Sequence, residues 1–180
     1  MVRRSPDRTP ATAPSPPRRS LRRALRLTLI SVGKNAEPFV REACADYAAR
    51  IRIYVDFALT VVPEERIAAP GKTEFILRQE GRRIREKIPS SALRVILDER
   101  GKSFTSEGFS RLFERWMTTG VRGVVFILGG AYGLDEALKK EADFRFSLSS
   151  LTLTHGMARM ILLEQIYRAF TLIRKEPYHK

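Results

Sequence analysis

The sequence has few of the features that cross-link a small secreted domain or anchor a chain in a membrane. It contains one cysteine, Cys44, among 180 residues, which excludes an internal disulfide framework. Its two histidines do not join that cysteine at the spacing of a zinc site, so no metal site is predicted. The longest charge-free apolar stretch, residues 146–158, is shorter than the roughly 18 residues of a transmembrane helix. We therefore predict about one domain with its own core and no membrane partner.

Acidic residues are also scarce, since 33 lysines and arginines against 20 acidic residues give a net charge of +13. The excess is uneven. Residues 1–26 hold eight arginines, one acidic residue and five of the ten prolines, and they carry +7. The remaining 154 residues carry +6. Because the segment before Leu21 has almost no apolar side chains, we predict a disordered basic extension over residues 1–23 and a folded domain over residues 24–180.

Three interpretations of this extension stay open. It could be a solvated tail, an electrostatic arm that binds RNA, or an organellar transit peptide, because it is rich in arginine and nearly free of acidic residues. It lacks the long apolar core of a secretory signal. We expect a cytoplasmic protein, or an organellar one if the extension is a transit peptide.

The rest of the chain alternates strand and helix patterns, which predicts an α/β fold with a parallel sheet and flanking helices. The predicted strands are residues 25–32, 57–62, 93–97, 124–128 and 146–149. The strand at 124–128 is apolar throughout and is expected to be buried on both faces. The predicted helices are residues 38–52, 72–88, 106–119, a short one after Gly133, and 156–175. The first predicted helix places Phe39, Ala43, Tyr47 and Ile51 on one face, which is expected to be buried. The second places Phe75, Ile76, Ile84 and Ile88 on one face in the same way.

Two segments that follow predicted strands have the composition of ligand-binding loops. Residues 129–133 read Gly-Gly-Ala-Tyr-Gly, and glycines there allow a sharp turn and a close approach of ligand atoms to backbone amides. They lack dinucleotide-binding and P-loop spacing, so a plain strand–helix turn is the alternative. Residues 146–155 supply hydroxyl groups and backbone, either for a polar ligand or for a helix cap. His155, at the end of this segment, is by itself open to a packing role as well as a catalytic one.

Seven short motifs occur in order along the folded part of the chain. They are Val32-Gly33-Lys34, Leu97-Asp98-x-x-Gly101-Lys102, Ser106-Glu107-Gly108-Phe109, Gly129-Gly130-x-x-Gly133-Leu134, Ser147-Leu148-Ser149 through His155, Glu164-Gln165-x-Tyr167-Arg168-Ala169 and Pro177-Tyr178-His179. Together they make the chain resemble the small SPOUT-class methyltransferases that modify N3 of a pseudouridine in bacterial large-subunit (23S) rRNA. The resemblance covers residues 25–180.

The resemblance implies a C-terminal deep trefoil knot within the α/β fold, a homodimer, S-adenosylmethionine as cofactor, and no metal. When the cofactor-binding motifs of the family are matched to this sequence, the residues implied to bind the cofactor are Leu97, Gly129, Leu148, Ser149, Ser150, Leu151, Thr152 and Leu153. Leu97 and Leu153 can enclose the adenine, while backbone amides bind the polar edges of the cofactor. Thr154 departs from the family, which has proline before the histidine. The loss of that fixed φ angle is expected to loosen the loop without abolishing function.

The reaction implied by the resemblance is methyl transfer to the pseudouridine N3 of 23S rRNA within the ribosome. That imide nitrogen is a poor nucleophile until its proton is removed or shared. His155, Tyr178 and His179 are the candidates for handling the proton, with the tail of one subunit completing the pocket of the other. Arg159 is the candidate for stabilising the imide anion or holding a phosphate.

RNA binding is expected to rest on the moderate basic charge of residues 27–180 and on Arg82, Arg83 and Arg85, although these arginines equally fit a solvated helix face. Two alternatives to the rRNA reaction stay open. One is a knotted methyltransferase that acts on another RNA, such as tRNA. The other is a non-catalytic, ribosome-associated RNA-binding protein.

Overall fold

The computed structural model describes residues 25–34, 37–66 and 72–178. Its strands are β1 (Arg26–Val32), β2 (Asp56–Val62), β3 (Leu93–Lys102), β4 (Gly123–Leu128) and β5 (Phe144–Phe146). Its helices are α1 (Pro38–Tyr54), α2 (Thr73–Arg85), α3 (Ser106–Thr118), α4 (Glu136–Lys140) and α5 (His155–Ile173). The predicted extension over residues 1–23 and the predicted catalytic residue His179 lie outside the described residues.

The strands form one parallel sheet in the order β2-β1-β4-β3-β5, which confirms the predicted α/β class. Strand β4 pairs with β1 on one side and with β3 on the other, and residues 124–128 are buried. A strand in this position is covered by helices on both faces, so it is apolar throughout instead of alternating. The trefoil knot implied by the resemblance stays a prediction.

Side chains that alternate along the strands build two cores, one on each face of the sheet. Leu27 and Leu29 of β1 face a large core that also receives the buried residues of α1, α3 and α5. Ile30 and Val32 face a smaller core with α2 and α4. The result is three layers, helix on sheet on helix. In the part of the chain that the structure describes, no helix has the length and apolarity to cross a membrane.

The buried faces of α1 and α2 differ from the prediction. Helix α1 buries Val40, Cys44, Ala48, Ile51 and Tyr54. The side chain of Phe39 is 61% exposed, so its predicted burial is wrong. Apolar residues recur at four-residue spacing along two adjacent stripes of α1, and only its packing on the sheet and on α5 selects one of them. On α2 the prediction is correct for Ile76 and Ile84 but wrong for Phe75, which is 47% exposed.

The fifth strand also differs, since it covers Phe144–Phe146 and not residues 146–149. Hydroxyl groups explain the early end. The Ser147 Oγ donates a hydrogen bond to the Ser149 carbonyl at 3.0 Å, and the Leu151 amide donates to the Ser149 Oγ at 2.9 Å. These short-range bonds compete with sheet hydrogen bonding and turn the chain into a loop.

Candidate active site

The predicted cofactor residues meet at the carboxyl-terminal edge of the sheet, where parallel α/β proteins bind ligands. A cavity of about 160 Å³ lies there, at the ends of β3, β4 and β5. It is lined by Leu97, Asp98, Glu99, Leu128, Phe146, Ser147, Leu148, Ser149, Leu151, Thr152, Leu153 and Ala158. Six of the eight predicted cofactor residues are among them. Of the other two, Gly129 directly follows Leu128, and Ser150 lies within the lining loop.

A larger cavity, of about 610 Å³, lies at the opposite edge of the sheet, beside Arg26, Asp56 and Gly123. These residues begin β1, β2 and β4, so this cavity is on the amino-terminal side of the strands. None of the described residues among the predicted cofactor and catalytic positions lines it. The smaller cavity is the candidate active site, because position at the strand ends and chemistry of the lining coincide there.

The serine loop that forms one wall of this cavity is held by its own hydroxyl groups. The Ser147 and Ser149 side chains bond to the loop backbone, as described above, so they set its shape. The cavity is lined largely by leucines from β3, β4 and the loop, with the carboxylates of Asp98 and Glu99 and the polar groups of the serine loop beside them. This arrangement suits a ligand with a flat apolar ring and a polar periphery.

Thr154 ends this loop and supplies what the family proline would. Its φ angle is −62°, inside the range that a proline ring imposes, and its Oγ1 accepts a hydrogen bond from the Met157 amide at 3.4 Å. The threonine is therefore the N-cap of α5 in a proline-like conformation. The loosening of the loop expected from the sequence stays a prediction.

The glycine turn after β4 is too tight for any side chain at its first position. A Cβ added at Gly129 would lie 2.2 Å from the carbonyl oxygen of Gly133. The Gly133 amide donates to the Gly130 carbonyl at 3.1 Å, and Gly133 has a φ of +86°. Helix α2 packs on the same turn, where Arg85 forms an ion pair with Asp135 at 2.9 Å. The glycines thus allow the tight backbone turn to form, and this turn keeps the end of β4 beside the cavity.

Arg159 lies beneath the site and is 2% exposed. Its Nη2 donates to the carbonyl oxygens of Val32, at 3.1 Å, and Gly33, at 2.6 Å. Burial lowers the pKa of this guanidinium below its ordinary value. Within the described residues, its Nε has no hydrogen-bond partner. This geometry indicates that Arg159 holds the end of β1. It does not support the expected contact with an RNA phosphate, because the guanidinium group points into the protein.

His155 begins α5 beside Gly33, where the chain leaves β1. A Cβ added at Gly33 would lie 3.8 Å from the His155 Nε2 and 3.8 Å from the Glu64 Oε2. Glu64 is exposed and follows β2, so an imidazole and a carboxylate from distant parts of the chain both lie close to one point. The resemblance pointed to His155, but nothing in the sequence pattern marked Glu64.

Glu80 is a buried carboxyl group that the sequence analysis missed. It is 4% exposed on α2, and its Oε1 accepts a hydrogen bond from the Glu65 amide at 3.0 Å. Its Oε2 lies 3.3 Å from the position of a Cβ added at Gly130. Burial raises the pKa of Glu80 above its ordinary value. A signal was present, because Glu80 interrupts the apolar stripe of Ile76 and Ile84 at four-residue spacing.

The C-terminal tail is docked between α1 and α5. The Tyr178 hydroxyl donates to the Glu164 Oε1 at 3.2 Å and lies 3.4 Å from the Tyr47 hydroxyl. The Arg168 guanidinium lies over the Tyr178 ring at 4.7 Å from its centroid. Burial, followed by these neighbours, raises the pKa of Tyr178. Tyr54 also bonds to the Glu176 carboxylate, so the tail is attached at two points.

Of the predicted catalytic residues that the structure describes, Tyr178 lies apart from His155 and Arg159 within one chain. Tyr178 contacts Glu164, which lies nine residues after His155 on α5. At the rise of an α-helix this separates the two positions by about 14 Å along the helix axis. His155 and Arg159 lie near the cavity, whereas the Tyr178 hydroxyl lies well down the helix.

The basic cluster on α2 is mostly engaged with acidic residues. Arg83 forms an ion pair with Glu65, and Arg85 pairs with Asp135 and Glu141, each at 2.9 Å. Arg82 is exposed. Two of the three arginines expected to bind RNA therefore hold the fold together. Within residues 25–34, 37–66 and 72–178, no three histidine, cysteine or acidic side chains come together as a metal site.

The class of this protein is indicated by its parallel sheet and by the glycine turn and serine loop around one cavity. The family described as "Predicted SPOUT methyltransferase" matches residues 25–179, so the chain belongs to this family of methyltransferases. It is 45% identical over 155 residues to the "Ribosomal RNA large subunit methyltransferase H" of Syntrophotalea carbinolica, with 86% of this chain and 99% of that protein covered. The protein of the same name from Streptococcus mutans is 37% identical over 159 residues, covering 87% and 100%.

Two solved structures share the fold at low sequence identity. A probable methyltransferase from Bordetella pertussis has a TM-score of 0.52 and 16% identity, over 83% of this chain and 96% of that chain. A probable methylase family protein from Haemophilus influenzae has a TM-score of 0.50 and 9% identity, over 87% and 70%. Both similarities concern the fold.

Proposed function

We propose that the protein uses S-adenosylmethionine to methylate N3 of a pseudouridine in 23S rRNA. One observation carries the proposal. Six of the eight residues that the family resemblance assigns to the cofactor, Leu97 and five of the 148–153 loop, lie about 50 residues apart in sequence but line one cavity. The relatives named for large-subunit rRNA methylation align over nearly their whole length with this chain, which supports rRNA as the substrate.

The chemistry of the cavity lining fits this cofactor. Leu97 and Leu153 would enclose the adenine, and backbone groups of the serine loop would bind its polar edges. Asp98 and Glu99 also line the cavity, and their negative charge favours a ligand with a cationic centre. When bound, the cofactor supplies a methyl group that is already activated by its sulfonium. The protein's own residues then have to hold the target base in place and manage the imide proton.

We propose that the active form is a homodimer in which the tail of one subunit completes the pocket of the other. The Tyr178 hydroxyl lies about 14 Å along α5 from His155, so one chain does not present both groups to one base. Apolar side chains on α1 and α5 also stay exposed or half-buried: Phe39, Met157, Met160 and Ile161. A second copy of α1 and α5 would cover them. The catalytic roles of Tyr178, His179 and His155 belong to this proposal, as does action in the cytoplasm.

The test compares substrates under single-turnover conditions. Methyl transfer from labelled cofactor is measured on ribosomes, on free 23S rRNA and on tRNA, and the product nucleoside is identified by mass spectrometry. We expect a methylated pseudouridine from 23S rRNA in ribosomes. Transfer to tRNA alone would instead establish the alternative RNA substrate. Failure to bind S-adenosylmethionine at millimolar concentration in calorimetry would favour a non-catalytic RNA-binding protein.

The tail assignment has its own test. Tyr178→Phe removes the hydroxyl that bonds to Glu164, and His179→Ala removes the neighbouring imidazole. Tyr178→Phe should bind the cofactor normally, because Tyr178 does not line the cavity. We expect the same of His179→Ala, since the resemblance assigns His179 to proton handling and not to the cofactor. If both variants also keep the wild-type single-turnover rate, the catalytic role of the tail is wrong.

A further inference from the structure

Beside the cofactor cavity, the end of β1 carries a second set of polar groups that has no assigned role. A Cβ added at the buried Gly33 would lie 3.8 Å from both the Glu64 Oε2 and the His155 Nε2. Two buried charged residues adjoin them, since Arg159 donates to the Gly33 carbonyl and Glu80 accepts from the Glu65 amide. We call this set the Gly33 pocket. It occupies the part of the carboxyl-terminal edge above β1 and β2, whereas the cofactor cavity lies above β3, β4 and β5.

The floor of the Gly33 pocket is fixed by hydrogen bonds. Gly33 has a φ of +74°, which favours glycine, and its amide donates to the Val62 carbonyl at 3.0 Å. Its carbonyl accepts from the buried Arg159 at 2.6 Å. Among the described residues, the Glu64 Oε2 and the His155 Nε2 are the atoms that would come within 4 Å of a side chain at this position. Any side chain at this position would therefore contact both groups, and glycine avoids that contact.

The wall that carries Glu64 is also fixed. The next residue, Glu65, donates its amide to the buried Glu80 carboxyl at 3.0 Å and forms an ion pair with Arg83. Arg83 in turn donates to the Pro63 carbonyl at 3.1 Å. Glu64 thus lies between two residues whose backbones are bonded to α2. This attachment limits where its carboxylate can reach and directs it to the space above Gly33.

We propose that the Gly33 pocket binds the target nucleobase through its imide edge. This inference rests on the proposed function and deepens it. An imide edge presents one N–H donor between two carbonyl acceptors. The Glu64 carboxylate accepts the hydrogen bond from the N–H and then takes its proton, which leaves the nitrogen lone pair free to react. The His155 ring nitrogen is a donor for a neighbouring carbonyl. Cytosine and adenine lack this pattern, so the pocket selects a uracil-type base. Glu80 and Arg159 are positioning residues beneath it.

A matched pair of glycine variants tests the proposal. Gly33→Ala places a methyl group 3.8 Å from both the Glu64 Oε2 and the His155 Nε2, which is ordinary contact distance, so the two side chains need not move. Gly120→Ala is the control. Gly120 has nearly the same φ, +77°, but lies at the other edge of the sheet with nothing within 4 Å of an added Cβ among the described residues. The two variants share the backbone strain and differ in what the methyl group blocks.

Three quantities are measured on the full-length protein: the melting temperature, calorimetric binding of S-adenosylmethionine, and single-turnover methyl transfer to large ribosomal subunits that lack the methyl group. Both variants should melt at similar temperatures and bind the cofactor within about twofold of wild type. Gly33→Ala should transfer the methyl group about 100-fold more slowly than Gly120→Ala, because a displacement of about 1 Å at the reacting atom has that effect. Glu64→Gln, which turns the acceptor into an amide, should slow transfer by about 100-fold as well.

The outcomes separate this inference from the proposed function. If the wild type transfers a methyl group and Gly33→Ala is as fast as Gly120→Ala, the nucleobase site is wrong while the proposed function stands. A wild-type rate for Glu64→Gln would also overturn the assignment of the carboxylate. If the wild-type protein itself transfers no methyl group to these subunits, the proposed function fails, and the inference fails with it.

Discussion

Replacement of Gly129 by alanine should open the turn that follows β4 and disturb the adjacent cofactor cavity. The added Cβ would lie 2.2 Å from the Gly133 carbonyl oxygen and 2.5 Å from the Gly133 carbonyl carbon. Both are backbone atoms, so no side-chain rotation relieves the overlap. Because carbon atoms pack at roughly 3.5 to 4.0 Å, the two backbone segments have to separate by more than about 1 Å.

The magnitude follows from what that separation breaks. The hydrogen bond from the Gly133 amide to the Gly130 carbonyl is lost, at about 1 kcal/mol. Strain from the forced shift contributes about 1–3 kcal/mol more. A loss of about 3 kcal/mol in the free energy of unfolding lowers the melting temperature of a chain this size by about 6–12 °C. Leu128, which lines the cavity, moves with the turn, so the affinity for S-adenosylmethionine should fall as well.

Gly123→Ala is the control, because Gly123 begins the same strand and its added Cβ meets only Ala92, at 3.5 Å. This variant should stay within about 0.5 kcal/mol of wild type, which is about 2 °C. Thermal unfolding by circular dichroism gives the melting temperatures, and calorimetry gives the cofactor affinity. Equal melting temperatures and equal affinities for the two variants would refute the steric reasoning.

Three further predictions concern other parts of the chain. Thr154→Pro should change the free energy of unfolding by less than about 1 kcal/mol in a denaturant titration, because the φ of −62° already suits proline while the helix cap is lost; a large loss would contradict this. Burial raises the pKa of Glu80, so the native state binds the Glu80 proton more tightly than the unfolded state does. The protonated carboxyl group therefore contributes stability at low pH, and this contribution is lost as the pH rises above the ordinary pKa near 4.5. The stability of Glu80→Gln relative to wild type should therefore increase across that range, and an opposite trend would show that the carboxyl is not destabilised by burial. Deletion of residues 1–23 should weaken salt-sensitive RNA affinity at most and leave the rate of methyl transfer unchanged, and a slower single-turnover rate would be evidence against that view.

Local patterns in the sequence predicted the architecture well but not the orientation of individual helices. The apolar run at 124–128 predicted a strand buried on both faces, and the structure confirms it. On α1, however, apolar residues follow two stripes one residue apart, and periodicity does not distinguish them. Packing against β1 and α5 buries Val40 and Cys44 and leaves Phe39 exposed, and that choice depends on residues far along the chain.

The candidate site shows the same division. Motifs alone indicated the cofactor residues, and six of the eight line one cavity. The sequence alone could have indicated that Glu80 is unusual, because burying a carboxyl group within an apolar stripe is energetically unfavourable unless it has hydrogen-bond partners. Its partner, the Glu65 amide, comes from the loop after β2, and no local pattern pairs the two.

By itself, the sequence determined the alternation of strands and helices, the parallel class of the sheet, the apolar central strand and the motifs that mark the family. These depend on the properties of neighbouring residues. Only the tertiary structure decided that Arg159 holds Val32 and Gly33, that Glu64 and His155 face one point, and that Tyr178 docks on Glu164 away from His155. The physical reason is that these contacts join segments distant in the chain, and their geometry is set by how the helices pack on the sheet.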